Sequence, residues 1–128
     1  MQYSKNIVLI STLLTLALIG VKPASAAKRH ESYYRDLWCA EHGGKTEYAL
    51  LDRTRVDCLT DEYAVEFDFA RKWAEAIGQA LHYSLLTGRT GAVVLIIEKK
   101  SDARKKSRVE RIVAYYRLPI KVFIMETE

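Results

Sequence analysis

The stretch RVDCLTDEYAVEFDFARKWAEAIGQALHY, Arg55 to Tyr83, holds the residues best suited to chemistry. Asp57, Glu66 and Asp68 lie in segments that read as strands, and Lys72, Gln79 and Tyr83 follow in a segment that reads as a helix. Side chains alternate across a strand. Tyr63, Val65, Phe67 and Phe69 therefore share one face, and Ala64, Glu66, Asp68 and Ala70 share the other. If Asp61 and Glu62 form the central turn of a hairpin, Asp57 lies opposite Glu66 and Arg55 opposite Asp68. Like charges directly opposite one another are destabilising. Hard oxygen ligands at this spacing suit Mg²⁺, Mn²⁺ or Ca²⁺, which would cancel the repulsion. The alternative is a solvated sheet face with an Arg55–Asp68 cross-strand pair. On the helix, Lys72, Gln79 and Tyr83 are seven and four apart and line one stripe. Lys72 falls in the first turn, where its ammonium can reach back toward the acids.

The elements that must position these residues follow from pattern. Glu31 to His42 has helical spacing at Tyr34, Leu37, Trp38 and Glu41, and Gly43-Gly44 ends it. Thr46–Leu51, Arg55–Leu59 and Tyr63–Phe69 read as three strands joined by turns. Arg71–Thr87 reads as a helix whose core stripe is Trp73, Ile77, Leu81 and Leu85. After a loop at Gly88–Gly91, the apolar run Ala92–Ile97 suits a strand covered on both faces. Asp102–Arg117 reads as a helix closed by Pro119, and Ile120–Met125 as a last strand. The order α-β-β-β-α-β-α-β predicts a mixed α/β domain, a sheet packed by helices.

These residues, in this order, resemble the PD-(D/E)XK nuclease superfamily, the restriction-endonuclease-like fold. Its core is α-β-β-β-α-β, with an aspartate on the second strand and Glu-x-Lys on the third. Asp57 and Glu66 match the acids, and Gln79 and Tyr83 fall where several branches carry a glutamine and a tyrosine. An acid from the first helix is often added; Glu41 is the best match and Glu47, on the first strand, a rival. The position of the strand lysine is occupied by Asp68. Some members move that lysine to the next helix, where Lys72 stands. The resemblance covers roughly Glu31 to Ile97 and implies Mg²⁺- or Mn²⁺-dependent hydrolysis of phosphodiester bonds. Under it Asp57 and Glu66 bind the metal, with Asp68 or Glu41 as a further ligand. Lys72 orients water or stabilises the transition state, and Gln79 and Tyr83 position the metal-bound groups or the phosphate. The departure at Asp68 keeps a rival class open, a non-catalytic module binding protein or nucleic acid in the cell envelope.

The remaining features bound the setting. Lys5, the apolar run Ile7 to Val21 and the Ala24-Ser25-Ala26 site read as a secretory signal peptide over residues 1–26. The expectation is one periplasmic or secreted domain over residues 27–128, with no membrane attachment after cleavage. Removing Lys5 and Lys22 from the 20 Lys and Arg leaves 18 against 16 Asp and Glu, a net charge of +2. Cys39 and Cys58 are expected to pair, as two cysteines in an exported small domain most often do. The loop closed would be worth roughly 3 kcal/mol. Lys99, Lys100, Arg104, Lys105, Lys106, Arg108, Arg111, Arg117 and Lys121 crowd the last quarter, as a solvated helix face or a patch for nucleic-acid phosphates. His30, His42 and His82 show no metal-ligand spacing.

Overall fold

The computed structural model describes residues 28–127. The expected signal peptide lies outside these residues. Helix α1 (Glu31–Glu41) precedes strands β1 (Lys45–Ala49), β2 (Arg55–Leu59) and β3 (Tyr63–Phe69). Helix α2 (Trp73–Thr87), strand β4 (Thr90–Ile97), helix α3 (Ala103–Tyr116) and strand β5 (Ile120–Glu126) follow. The five strands form one mixed sheet in sequence order. β1–β2 and β2–β3 are antiparallel, and β3–β4 and β4–β5 are parallel. The expected mixed α/β architecture is observed.

Alternation decides which helix meets which face. Val65 and Phe67 on β3, with Ala92 and Val94 on β4, pack against Trp38 and Cys39 of α1. The intervening Val93, Leu95 and Ile97 pack against Ala76 and Ala80 of α2 and Val109 of α3. The apolar run of β4 is thus covered on both sides, as its composition requires.

Helix α2 departs from the expected stripe. Ala76, Ala80 and Tyr83 are its buried residues, Trp73, Ile77 and Leu81 are partly buried, and Leu85 is 80% exposed. Small residues on the inner face let the helix approach β4 closely. The contact is tightest at Gly91, where a Cβ would stand 2.6 Å from the Ala80 carbonyl oxygen. Gly88 closes α2 in the left-handed conformation (φ 68°), and its N–H donates to the Ser84 carbonyl. Two short 3₁₀ turns, Ala70–Lys72 and Lys100–Asp102, lead into α2 and α3. Lys72 therefore lies in a tight turn immediately before the helix rather than in its first turn.

No helix among the described residues is long and apolar enough to cross a membrane.

Candidate functional site

The β2–β3 hairpin begins in the register expected from its turn. Thr60 N–H donates to the Tyr63 carbonyl at 2.9 Å, leaving Asp61 and Glu62 as the central residues. Leu59 pairs with Ala64 and Cys58 with Val65. The ladder then stops, one position short of the Asp57–Glu66 pair. The Asp57 carboxylate instead accepts the Phe67 N–H at 2.8 Å. A matching gap occurs on the other side of β2, between the pairs Thr46–Cys58 and Tyr48–Val56, with Glu47 in the left-handed region (φ 52°). A non-glycine residue there is uncommon and usually marks a bulge or a site. Alternation fails at the same point. Cys58 faces α1, yet Val56, two residues earlier, packs with Ala64 and Tyr83. The sheet opens where Asp57 stands, and the acids of β3 line the opening.

Those acids do not face water. Glu66 is 5% exposed and Asp68 2% exposed. The solvated-face alternative is thereby corrected, and its Arg55–Asp68 pair is absent: Arg55 meets Glu47 at 3.4 Å. Helix α2 supplies partners for Glu66. The Gln79 amide donates to it at 2.7 Å, and the Tyr83 hydroxyl lies within hydrogen-bonding reach. Lys72 reaches Asp68, with its Nζ 3.6 Å from Oδ1, and also Glu75 at 3.8 Å. Asp57 and Glu66 are not among its ion pairs within 4.0 Å.

The acid that α1 contributes is Glu31. It lies beside Asp68. Glu41, the acid favoured from sequence, sits ten residues further along α1 and is exposed. At 1.5 Å per residue it is roughly 15 Å along the helix axis from Glu31. Glu47, the rival, is held by Arg35 and Arg55. Two clues to Glu31 lay in the sequence: the Cys39–Cys58 pairing and the hairpin register. Eight helical residues back from Cys39 span about 12 Å, and three strand residues on from Val65 span about 10 Å. Both paths end at the Glu31–Asp68 contact.

Four carboxyl groups thus share one partly dry site, and their proton affinities show it. Glu66 is pushed up to about 9, first by burial and then by the negative charges of Asp57, Asp68 and Glu31. Glu31 is pushed up to about 7 by burial, Asp68 and Asp57. Burial also raises Asp57, opposed by the Phe67 N–H and the Arg35 guanidinium. It raises Asp68, opposed chiefly by Lys72. Burial, then the Glu66 charge, raise the Tyr83 phenol. Glu66 stands beside Asp57, and Glu31 beside Asp68. Two buried atoms in the site have no hydrogen-bond partner, Asp68 Oδ1 and Gln79 Oε1.

The donor set is all oxygen, the chemistry preferred by a hard divalent cation. Both unpartnered atoms are acceptors, which also fits. As the side chains stand, no group of three or more His, Cys, Asp or Glu residues among the described residues is arranged around a common point to hold an ion. Asp57 is turned to the Phe67 amide, and Glu66 to the Gln79 amide.

The other expected features fall elsewhere. Cys39 and Cys58 form a disulfide, both fully buried, joining α1 to β2. His42 stacks on Trp38 at 3.6 Å, and His82 meets Asp52 at 2.7 Å, tying the β1–β2 turn to α2. His30 precedes α1 at its N-cap. The basic residues from Lys99 to Arg111 lie on the turn before α3 and on α3 itself.

No family model, curated protein or solved structure matches the chain.

Proposed function

We propose that the protein is a metal-dependent hydrolase of nucleic-acid phosphodiester bonds, with a restriction-endonuclease-like core. One observation carries the reading. The break in the sheet at Asp57 gathers Glu31, Asp57, Glu66 and Asp68, with Gln79, Tyr83 and Lys72 around them. The element order α1-β1-β2-β3-α2-β4, an aspartate on the second strand and a glutamate on the third support it. Asp57, Glu66 and Asp68, with Glu31 from α1, would hold Mg²⁺ or Mn²⁺. Bound there, the ion would polarise a phosphoryl oxygen and lower the pKa of its water.

The protein's own groups have separable roles. Gln79 donates to the Glu66 carboxyl and sets its orientation, with Tyr83 beside it. Glu66 and Glu31, raised to about 9 and about 7 by burial and by the neighbouring acids, hold protons that a cation must displace. Lys72, half exposed beside Asp68, presents an ammonium to a phosphate arriving from solvent. It pairs with the aspartate that occupies the position of the strand lysine.

The test is incubation of the purified chain with DNA and RNA in Mg²⁺ or Mn²⁺, then in EDTA. Metal-dependent cleavage lost in Glu66→Ala supports the proposal; no cleavage, or full activity in that variant, sinks it. A specific observation favours the second reading, a non-catalytic envelope module: Lys72 pairs with Asp68 and Glu75 rather than with Asp57 or Glu66. Calorimetric titration with Mg²⁺ separates the two, since such a module needs no metal at these acids.

A further inference from the structure

The outer face of α3 carries groups that neither the core nor the carboxyl cluster uses. Arg104, Arg108, Arg111 and Tyr115 recur at intervals of four, three and four along the helix. They share one stripe, about 16 Å long at 1.5 Å per residue. Val109 is buried on the opposite side, with Val113 packed against the same core. Among the described residues, the one ion pair made by α3 is Lys106–Glu110 at 3.2 Å, which occupies the helix's single acid. Arg104, Lys105, Arg108 and Arg111 keep their charge uncompensated. Arg108 also lies over the Trp73 ring, 5.3 Å from its centroid, which anchors the middle of the stripe.

Two tyrosines stand at its end. Tyr115 is 80% exposed and Tyr116 67% exposed. They meet each other edge to face, 4.9 Å between centroids. With Arg108, Arg111 and Ile112 they line a cleft of about 410 Å³. Arg108 also lines a second cleft of about 430 Å³, with Arg71, Lys99, Arg104 and Lys105 and the acids Glu98 and Asp102. Cations in a row beside exposed rings are what an unpaired nucleic-acid strand needs: charges along its backbone and flat surfaces for its bases.

We infer that the outer face of α3 docks single-stranded nucleic acid, with the arginines on its phosphates and Tyr115 and Tyr116 against its bases. Charge complementarity selects a polyanion. The rings select its unpaired form, because a duplex keeps base faces inside the stack and offers only edges. An anionic lipid surface would need an apolar face to bury, and this stripe has no leucine, phenylalanine or tryptophan. No residue of this surface belongs to the carboxyl cluster, so the inference stands or falls separately from hydrolysis.

The experiment is fluorescence anisotropy with a labelled mixed-sequence oligonucleotide, single-stranded and then annealed to its complement, in EDTA so that cleavage plays no part. Vesicles containing phosphatidylglycerol form a third arm. The single strand should bind more tightly than the duplex, with affinity falling as salt rises. Arg104→Ala/Arg111→Ala should weaken binding and reduce the log–log salt slope by about 1.4, at roughly 0.7 per phosphate contact. Tyr115→Ala/Tyr116→Ala should weaken single-strand binding at least about tenfold and leave that slope unchanged. Folding of both double variants is checked by circular dichroism, and the tyrosine pair lies outside the core. No oligonucleotide binding, equal or tighter duplex binding, capture by vesicles alone, or wild-type affinity in the tyrosine variant would each overturn the inference. Binding retained in Glu66→Ala with cleavage lost would place the two functions on different residues. Binding without any cleavage would remove the hydrolase reading and leave this one.

Discussion

Replacing Glu66 by glutamine while varying pH tests the carboxyl cluster without any substrate. The folded Glu66 titrates at about 9 and its ordinary value is 4.5. Between those values the folded protein keeps a proton that the unfolded chain has released. Stability therefore falls as pH rises through this window, by about 1.4 kcal/mol per pH unit for one proton. The contribution is fully present below the unfolded value and lost as pH passes the folded one. Glu31 adds a second proton only up to about 7, so above neutrality Glu66 dominates. From about pH 7 to about pH 8.5 the loss is roughly 2 kcal/mol, or about 8–15 °C in Tm for a domain of this size. Glu66→Gln keeps the shape and the Tyr83 contact but cannot titrate. Its Tm, followed by circular dichroism, should be nearly flat over that range and should exceed wild type at the alkaline end. Millimolar Mg²⁺ should flatten the wild-type curve as well, because a cation stabilises the carboxylates that protons otherwise neutralise. A wild-type curve already flat without Mg²⁺, or a variant that keeps the wild-type slope, would refute the idea that Glu66 holds a proton in the folded protein.

Gly91→Ala should cost roughly 1–3 kcal/mol in denaturant unfolding, because its Cβ would stand 2.6 Å from a backbone oxygen that cannot yield. Gly78→Ala, on α2 with nothing within 4 Å of the added methyl, should gain up to about 1 kcal/mol in the same assay. Gly44→Ala places its Cβ 2.4 Å from Cys58 Sγ and 2.7 Å from Cys39 Sγ, so thiol titration should find a larger reduced fraction than in wild type. If the chain cleaves nucleic acid, Lys72→Ala should lower kcat by about 10²-fold, the scale for losing one electrostatic stabiliser. Its Tm should change little, since the side chain is 49% exposed.

Much of the frame was legible because it rests on local patterns. The alternation of Tyr63 to Ala70 separates aromatic from acidic faces, and the Asp61-Glu62 turn sets a register that holds at Cys58 and Leu59. The unbroken apolar run of β4 announces burial on both sides. What was not legible depends on how elements meet. Leu85 fits the α2 stripe by spacing, yet the helix approaches β4 through Ala76 and Ala80, which turns Leu85 outward. Residue type outranked volume in that reading, and close approach favours the smallest side chains. The ladder break at Asp57 is a tertiary response to acids that cannot lie side by side in a regular hairpin. Glu31 carries little signal of its own, since an acid in a first helical turn also suits the helix dipole.

The Cys39–Cys58 bond fastens the helix that carries Glu31 to the strand that carries Asp57, one residue away from that aspartate. Two of the four carboxyl groups are thus delivered by parts whose mutual position hangs on an oxidation event. In a compartment that keeps thiols reduced, α1 is held by its side-chain packing, chiefly Tyr34 and Trp38, and by the Arg35–Glu47 ion pair. Assembly of the cluster would then be timed by oxidation. If the chain cleaves nucleic acid, a newly made copy would stay latent among its maker's own nucleic acids and become competent only where sulfurs join.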